Sequence, residues 1–120
     1  IVKDAVEDAN HNKKINNINN IEFYHGDLKK ILNNDTISKI EKPDVVVIDP
    51  PRSGLDPDTL NLVVNIKNVI YISCNPKSLL EDLEHILKTH KIINLAVFDQ
   101  FPWTEHLEVG VLMESHTKVQ

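Results

Sequence analysis

The sequence is short of cysteine, glycine and aromatic residues, and it lacks any long apolar run. Its 120 residues include one cysteine, three glycines and 5% aromatics. A single cysteine excludes an internal disulfide framework and a cysteine-rich metal site, and it fits a reduced, cytoplasmic setting. No metal-ligand spacing appears elsewhere, so no metal is expected. The longest apolar stretches, such as Val45-Val46-Val47-Ile48, are strand-sized and bounded by Asp44 and Asp49. None reaches the length that spans a bilayer, so no membrane partner is expected. No secretory signal is read at Ile1-Val2-Lys3-Asp4, which is already amphipathic and carries no Met. The expectation is a piece of a longer protein.

Positive charge is also scarce. Thirteen Lys and Arg face eighteen Asp and Glu, for a net charge of −5. Nucleic-acid surfaces are usually basic. If RNA is the partner, most phosphate contacts are expected outside this chain. What is present is an ordinary globular balance, 41% hydrophobic and 26% charged. That suits one domain of 1–120 with a real core.

The pattern alternates between the two periods. Val2, Ala5, Val6 and Ala9 recur at helical spacing and predict a helix over 2–19, weakened by the asparagines from Asn16 to Asn20. Ile21-Glu22-Phe23-Tyr24-His25 reads as a short strand, and Gly26-Asp27 as a turn. Leu28, Ile31 and Leu32 begin a second helical face, and Pro43 marks a polar turn over 41–43. The β-branched run Val45 to Ile48 suits a central parallel strand covered on both faces. Asp56-Pro57 and Asn75-Pro76 each pair an N-cap residue with proline at the first helical position. Between them lies a second buried-type strand, Val69 to Ile72. Leu79, Leu80, Leu83, Ile86 and Leu87 form a helical stripe. Residues 91–98 and 107–114 read as strands, the last antiparallel because the loop 99–106 is too short for a crossover helix. Alternation of this kind predicts an α/β fold with a mostly parallel sheet.

In open α/β sheets, ligands bind beyond the carboxyl ends of the strands. Three polar clusters are predicted there, so distant stretches should converge on one edge. They are Asp49-Pro50-Pro51-Arg52, Ser73-Cys74-Asn75-Pro76 and the loop from Asp99 to Glu108. A lone cysteine is more often an inert small hydrophobe, by about three to one. Cys74, however, stands at a strand end ahead of a helix N-terminus, a place that favours thiolate. Asp49 is a capping or solvated strand end unless the two stiff prolines hold it for chemistry. Asp-Pro-Pro alone occurs in several methyltransferases of bases or amides. Glu108 lies two residues from His106, so on a strand both would face one side. Alone the pair reads as a surface strand end, and in combination Glu108 offers a general base. Arg52 and Lys77 are candidates for phosphate or carboxylate, against the plain alternative of solvated charge. Phe101 and Trp103 are either base-stacking platforms or loop packing. The other five histidines are read as solvated.

These residues resemble a known family. Asp49-Pro50-Pro51-Arg52-Ser53-Gly54, followed by Ile70-Tyr71-Ile72-Ser73-Cys74-Asn75-Pro76, is similar to the first signature of the RNA uridine-5-methyltransferases. Phe98-Asp99-Gln100-Phe101-Pro102-Trp103-Thr104-Glu105-His106-Leu107-Glu108 is similar to the second. Val2 to Ala9 resembles the segment after the family's second strand, and Gly26-Asp27 its adenine-contacting turn. Trp103 departs from the family's usual His, Gln or Tyr, and Ser78 from its usual Thr.

The resemblance implies a Rossmann-like class I methyltransferase sheet with a C-terminal antiparallel strand, truncated at the N-terminus. It implies S-adenosylmethionine as cofactor, with Asp27 and Asp49 on its side of the site. The family's Gly-rich cofactor loop, ribose-binding acid, RNA-binding domain and any iron–sulfur cysteines are expected outside this chain. The isolated fragment is therefore expected to be inactive. In the implied mechanism Cys74 adds to carbon 6 of uracil, carbon 5 takes the methyl group, and Glu108 removes the proton from carbon 5. Asp49, Arg52, Asn75, Gln100 and His106 would contact substrate, and the base must be flipped out. Ribosomal RNA is the first expectation for the substrate and transfer RNA the second. Another base or amide methyltransferase is a competing reading that the Cys74 loop opposes, since amine methylation needs no thiol adduct. A non-catalytic RNA-binding module is the other, supported by the acidic charge and opposed by a Cys, an Asp and a Glu at three strand ends.

Overall fold

Two helix starts in this chain are written locally, each in a cap and a proline. Sheet membership is settled at a distance, and that division explains where the predicted elements hold. The computed structural model describes residues 2–32 and 42–116. It divides the chain into two units, Ile1–Ile40 and Glu41–Gln120.

In the first unit, helix α1 spans Lys3–Ile15. Asparagine ends it. Asn17 takes a left-handed φ of 52°, which Asn tolerates better than most residues. The Asn17 amide then donates to Lys14 O at 3.2 Å and the Ile18 amide to Lys13 O at 3.0 Å. This is the paired closure of a Schellman motif. The short helix α2 spans Leu28–Leu32 and opens on Asp27, whose carbonyl accepts from Lys30 N and Ile31 N, both at 3.0 Å. Any continuation of that helical face past residue 32 lies outside the described residues, as does residue 41 of the expected turn. The strand expected over Ile21–His25 does not form: these residues are irregular, with Ile21, Phe23 and Tyr24 exposed. Alternation makes a strand possible, but a strand needs a neighbour for its amides, and none of the described strands pairs with this one.

The second unit carries the sheet. Its elements are β1 (Val45–Ile48), helix α3 (Pro57–Val63), β2 (Asn68–Ser73), helix α4 (Pro76–Ile86), β3 (His90–Phe98) and β4 (Glu108–Ser115). The sheet order is β1-β2-β4-β3. β1 pairs parallel with β2, while β4 inserts antiparallel between β2 and β3. Three strands thus run one way and β4 runs against them, as expected for the C-terminal strand. β3 carries an irregularity between Ile92 and Asn94.

Both helices start where the cap pairs predict. The Asp56 carboxylate accepts from Asp58 N at 3.1 Å, Thr59 N at 3.2 Å and Thr59 Oγ1 at 2.7 Å. The Asn75 side chain accepts from Lys77 N at 3.2 Å. The two helices pack one face of the sheet. Val63, Leu79, Leu83 and Ile86 meet Val69, Tyr71, Val109, Val111 and Met113 in one buried cluster. Each such side chain contributes about 1.5–3 kcal/mol when fully buried, so this single layer holds the unit together.

Three expectations need correction. β1 lies at the edge of the described sheet, and Val45 and Val47 are exposed, so the run is not covered on both faces. The α4 stripe is narrower than its leucines suggest: Leu80 and Leu87 are exposed, while Asp82 lies on the buried face with Leu79 and Leu83. His90 is not solvated. It is 1% exposed, with Nε2 at 2.7 Å from Ile66 O and Nδ1 at 2.8 Å from Thr89 Oγ1. A carbonyl only accepts, so Nε2 carries the proton. Both ring nitrogens find partners, which is why a histidine can sit in this core.

Candidate active site

β1 ends at Ile48, and Asp49 leads into a loop stiffened by Pro50 and Pro51. The loop closes on itself, with Gly54 N donating to Pro51 O at 2.9 Å. Gly54 is buried at φ 79°, a conformation that L side chains rarely adopt. An added Cβ would also lie 2.8 Å from Asp82 Oδ2. Glycine is therefore required here by the backbone and by the space.

The predicted clusters converge. Asp49 from the first cluster and Gln100 and Glu108 from the third line one cavity of about 420 Å³ together with Ile72, Phe98 and Gly110. Sheet register explains the meeting. Ser73 pairs with Val109 across β2 and β4. Cys74 and Glu108 are thus the next residues outward on neighbouring strands. Cys74 is a free thiol of intermediate exposure and is not among the cavity-lining residues.

Arg52, Asn75 and His106 form a second group beside it. Asn75 Nδ2 donates to Arg52 O at 2.8 Å. Arg52 Nη1 lies 3.0 Å from His106 Nδ1. Guanidinium only donates, so His106 accepts at Nδ1 and its proton sits on Nε2. His106 lies in the loop before β4, not on the strand, so strand alternation with Glu108 does not apply to it. Its ring meets Phe101 edge-on, 6.4 Å between centroids. Asn75 has both ends of its amide in use, one as helix cap and one as a tie between loops. Lys77 is exposed. Asp27 belongs to the first unit, at the start of α2.

Sequence reasoning missed Asp82. It is 6% exposed, and its Oδ2 accepts from Leu55 N at 2.9 Å and from Tyr71 OH at 2.5 Å. Burial, and then the bond to Asp82, push the Tyr71 hydroxyl well above its ordinary pKa. A signal was present: an acid three residues after Leu79 and one before Leu83 falls on the apolar face of its helix.

Comparison with known proteins fits this arrangement. The family model described as tRNA (Uracil-5-)-methyltransferase matches residues 1–116. The chain belongs to this family. A tRNA/tmRNA (uracil-C(5))-methyltransferase of Proteus mirabilis is 41% identical over 125 residues, covering 95% of this chain and 34% of the relative. One from Shewanella sediminis is 39% identical over the same coverage. The solved tRNA (uracil-54, C5)-methyltransferase of Pyrococcus abyssi, in complex with S-adenosyl-L-homocysteine, matches with a TM-score of 0.75 and 28% identity. That match covers 93% of this chain and 26% of the other. The chain spans about a third (34%) of the length of the curated relatives it matches. The likeness extends to the α/β sheet with its inserted antiparallel strand, so the class I methyltransferase fold expected from the sequence holds.

Proposed function

We propose that residues 1–120 are the C-terminal portion of a catalytic domain that methylates carbon 5 of a uracil in transfer RNA through a covalent adduct at Cys74. The observation that carries this reading is the register of β2 and β4. It makes Cys74 and Glu108 adjacent positions on neighbouring strand ends, and Glu108 lines the cavity that Asp49 and Gln100 share. Transfer RNA replaces the ribosomal RNA first expected, because the relatives named above act on tRNA or tmRNA.

The donor set suits a cationic methyl donor. Two carboxylates, an amide oxygen and the Phe98 ring surround the cavity, and all four favour positive charge. S-adenosylmethionine, when bound, supplies an electrophilic methyl group for carbon 5. Asp49 and Glu108 are the residues of this chain that would face its charge, and the family resemblance assigns Asp27 to its adenine.

Cys74 Sγ, as thiolate, forms a bond to carbon 6 of uracil, and the carbon 5–carbon 6 π electrons move toward O4. Carbon 5 becomes nucleophilic. After methylation, Glu108 takes the proton from carbon 5, the double bond reforms, and the Cys74 bond to carbon 6 breaks to return the thiolate. Asp49 can accept from N3–H of the base, and the Gln100 amide can donate to a ring carbonyl. A duplex base cannot reach such a cavity, so the uridine is flipped out. Arg52, held by His106, would meet its phosphate or carbonyl. Most phosphate contacts then belong to other parts of the whole protein.

The test uses the whole protein, S-adenosylmethionine and transfer RNA containing 5-fluorouridine. Fluorine at carbon 5 blocks the proton removal assigned to Glu108, so a protein–RNA adduct should persist. Mass spectrometry should place it on Cys74, and Cys74→Ala should give none. A folded, cofactor-binding protein that forms no adduct with a methylatable tRNA overturns the covalent mechanism.

A further inference from the structure

Asp82 is a buried acid that the proposed chemistry does not use. Its helix nevertheless touches the active-site loop twice. Asn75, at the cap of α4, ties Arg52 O. Asp82, seven residues later, ties Leu55 N and Tyr71 OH on one carboxylate oxygen. The segment from Arg52 to Leu55 is therefore held at both ends by anchors from the same helix, about two turns apart. Gly54 packs against the second anchor so closely that no side chain fits between them. Tyr71 lies on β2, three residues before Cys74. One carboxylate thus joins the strand that leads to Cys74 to the loop that carries Arg52.

We propose that Asp82 is a positioning residue, which holds the Asp49–Leu55 loop so that Arg52 stays on His106 and faces the substrate. Without Leu55 N the buried carboxylate would have one donor fewer, which is unfavourable, so the loop cannot leave Asp82 without penalty. Arg52 itself is exposed, and its guanidinium reaches His106 from a loop whose backbone Asn75 and Asp82 hold. Its direction is thus set by the backbone beneath it. The role rests on the reading above, in which Arg52 meets the RNA.

The experiment is a double-mutant cycle in the whole protein with Asp82→Asn and Arg52→Ala. Asparagine keeps the shape but weakens the acceptor shared by Leu55 and Tyr71. With Arg52 present, Asp82→Asn should lower kcat/KM for tRNA by about tenfold. In the Arg52→Ala background the same change should cost less than about twofold, because the residue it positions is gone. Equal losses in both backgrounds would show a role in stability alone and overturn the proposal.

A second readout does not depend on activity. In nitrogen-15 NMR, Asp82→Asn should move the His106 Nδ1 signal toward its position in Arg52→Ala. If the wild type methylates no tRNA, the proposed function fails, and the NMR comparison still decides the positioning. An unmoved His106 signal sinks it. Should Asp82→Asn not fold, Tyr71→Phe removes one of the two donors and goes through the same cycle and the same NMR comparison.

Discussion

Gly54→Ala is the substitution whose effect can be worked most directly from the structure. Two penalties stack. At φ 79° an L residue occupies the left-handed region, at about 1–2 kcal/mol relative to glycine. The new Cβ would also stand 2.8 Å from Asp82 Oδ2 and 3.3 Å from Ser78 Cβ. Asp82 has no easy retreat, since Leu55 N and Tyr71 OH both hold the oxygen that would have to move. Moving it weakens at least one hydrogen bond to a carboxylate, worth about 1.5–3 kcal/mol. The expected loss is therefore about 2.5–5 kcal/mol, a large share of the roughly 5–15 kcal/mol that typically separates folded from unfolded.

Urea unfolding of the whole protein, followed by circular dichroism, measures this loss. The same substitution in an Asp82→Ala background separates the two penalties. There the oxygen is absent, and only the backbone term of about 1–2 kcal/mol should remain. A loss below about 0.5 kcal/mol for Gly54→Ala would refute the backbone assignment. An equal loss in both backgrounds would refute the clash.

Two further outcomes follow from the same surroundings. Burial, then the bond to Asp82, raise Tyr71 above its ordinary 10.0, so above pH 10 the unfolded chain releases a proton that the folded chain keeps. The stability from this group is fully present below pH 10 and falls above it, by up to about 1.4 kcal/mol per pH unit; Tyr71→Phe should remove that slope in urea melts between pH 9 and 11, and an unchanged slope would count against it. Trp103 is fully exposed at φ 66°, after Pro102, in a turn closed by Thr104 N to Phe101 O at 3.2 Å. Proline excludes a positive φ at the second position, so the turn is type II, whose third position prefers glycine. Trp103→Gly should leave the melting temperature unchanged or raise it, yet weaken tRNA binding by the roughly 1–3 kcal/mol of a lost base stack. A variant that binds tRNA as tightly as the wild type would remove Trp103 from the interface.

The parts of this fold that were legible in the sequence are those decided within a few residues. Asp56-Pro57 and Asn75-Pro76 start helices because a side-chain oxygen reaches an amide two or three residues on. The runs Val45–Ile48 and Val69–Ile72 become strands because β-branched residues suit a pleat. The convergence of Asp49, Gln100 and Glu108 followed from topology, since the parallel strands β1 and β3 deliver their carboxyl ends, and antiparallel β4 its amino end, to one edge. Ile21–His25 failed for the complementary reason: its alternation matches a strand, but a partner strand is not encoded in five residues. His90 and Asp82 were hidden in the same way. The Ile66 carbonyl that accepts from His90 is 24 residues away, and the donors to Asp82 are 11 and 27 residues away. A polar residue is called solvated by default until such a distant partner is known.

That distance also changes how the two signatures are to be understood. The Asp49–Gly54 loop and the Ser73–Pro76 loop look like separate motifs, each with its own residue for chemistry. In the structure the second supplies the first with its fixings. Asn75 caps α4 and, with its other amide end, holds the Arg52 carbonyl. Its substitution by Asp would keep the capping oxygen and lose the donor. Such a change leaves the helix intact and frees the loop, so capping and positioning can be told apart at a single residue. If Asn75→Asp keeps the stability of the wild type but matches Arg52→Ala in tRNA turnover, the two loops act as one unit. If it leaves turnover unchanged, the Asn75–Arg52 tie is only incidental packing.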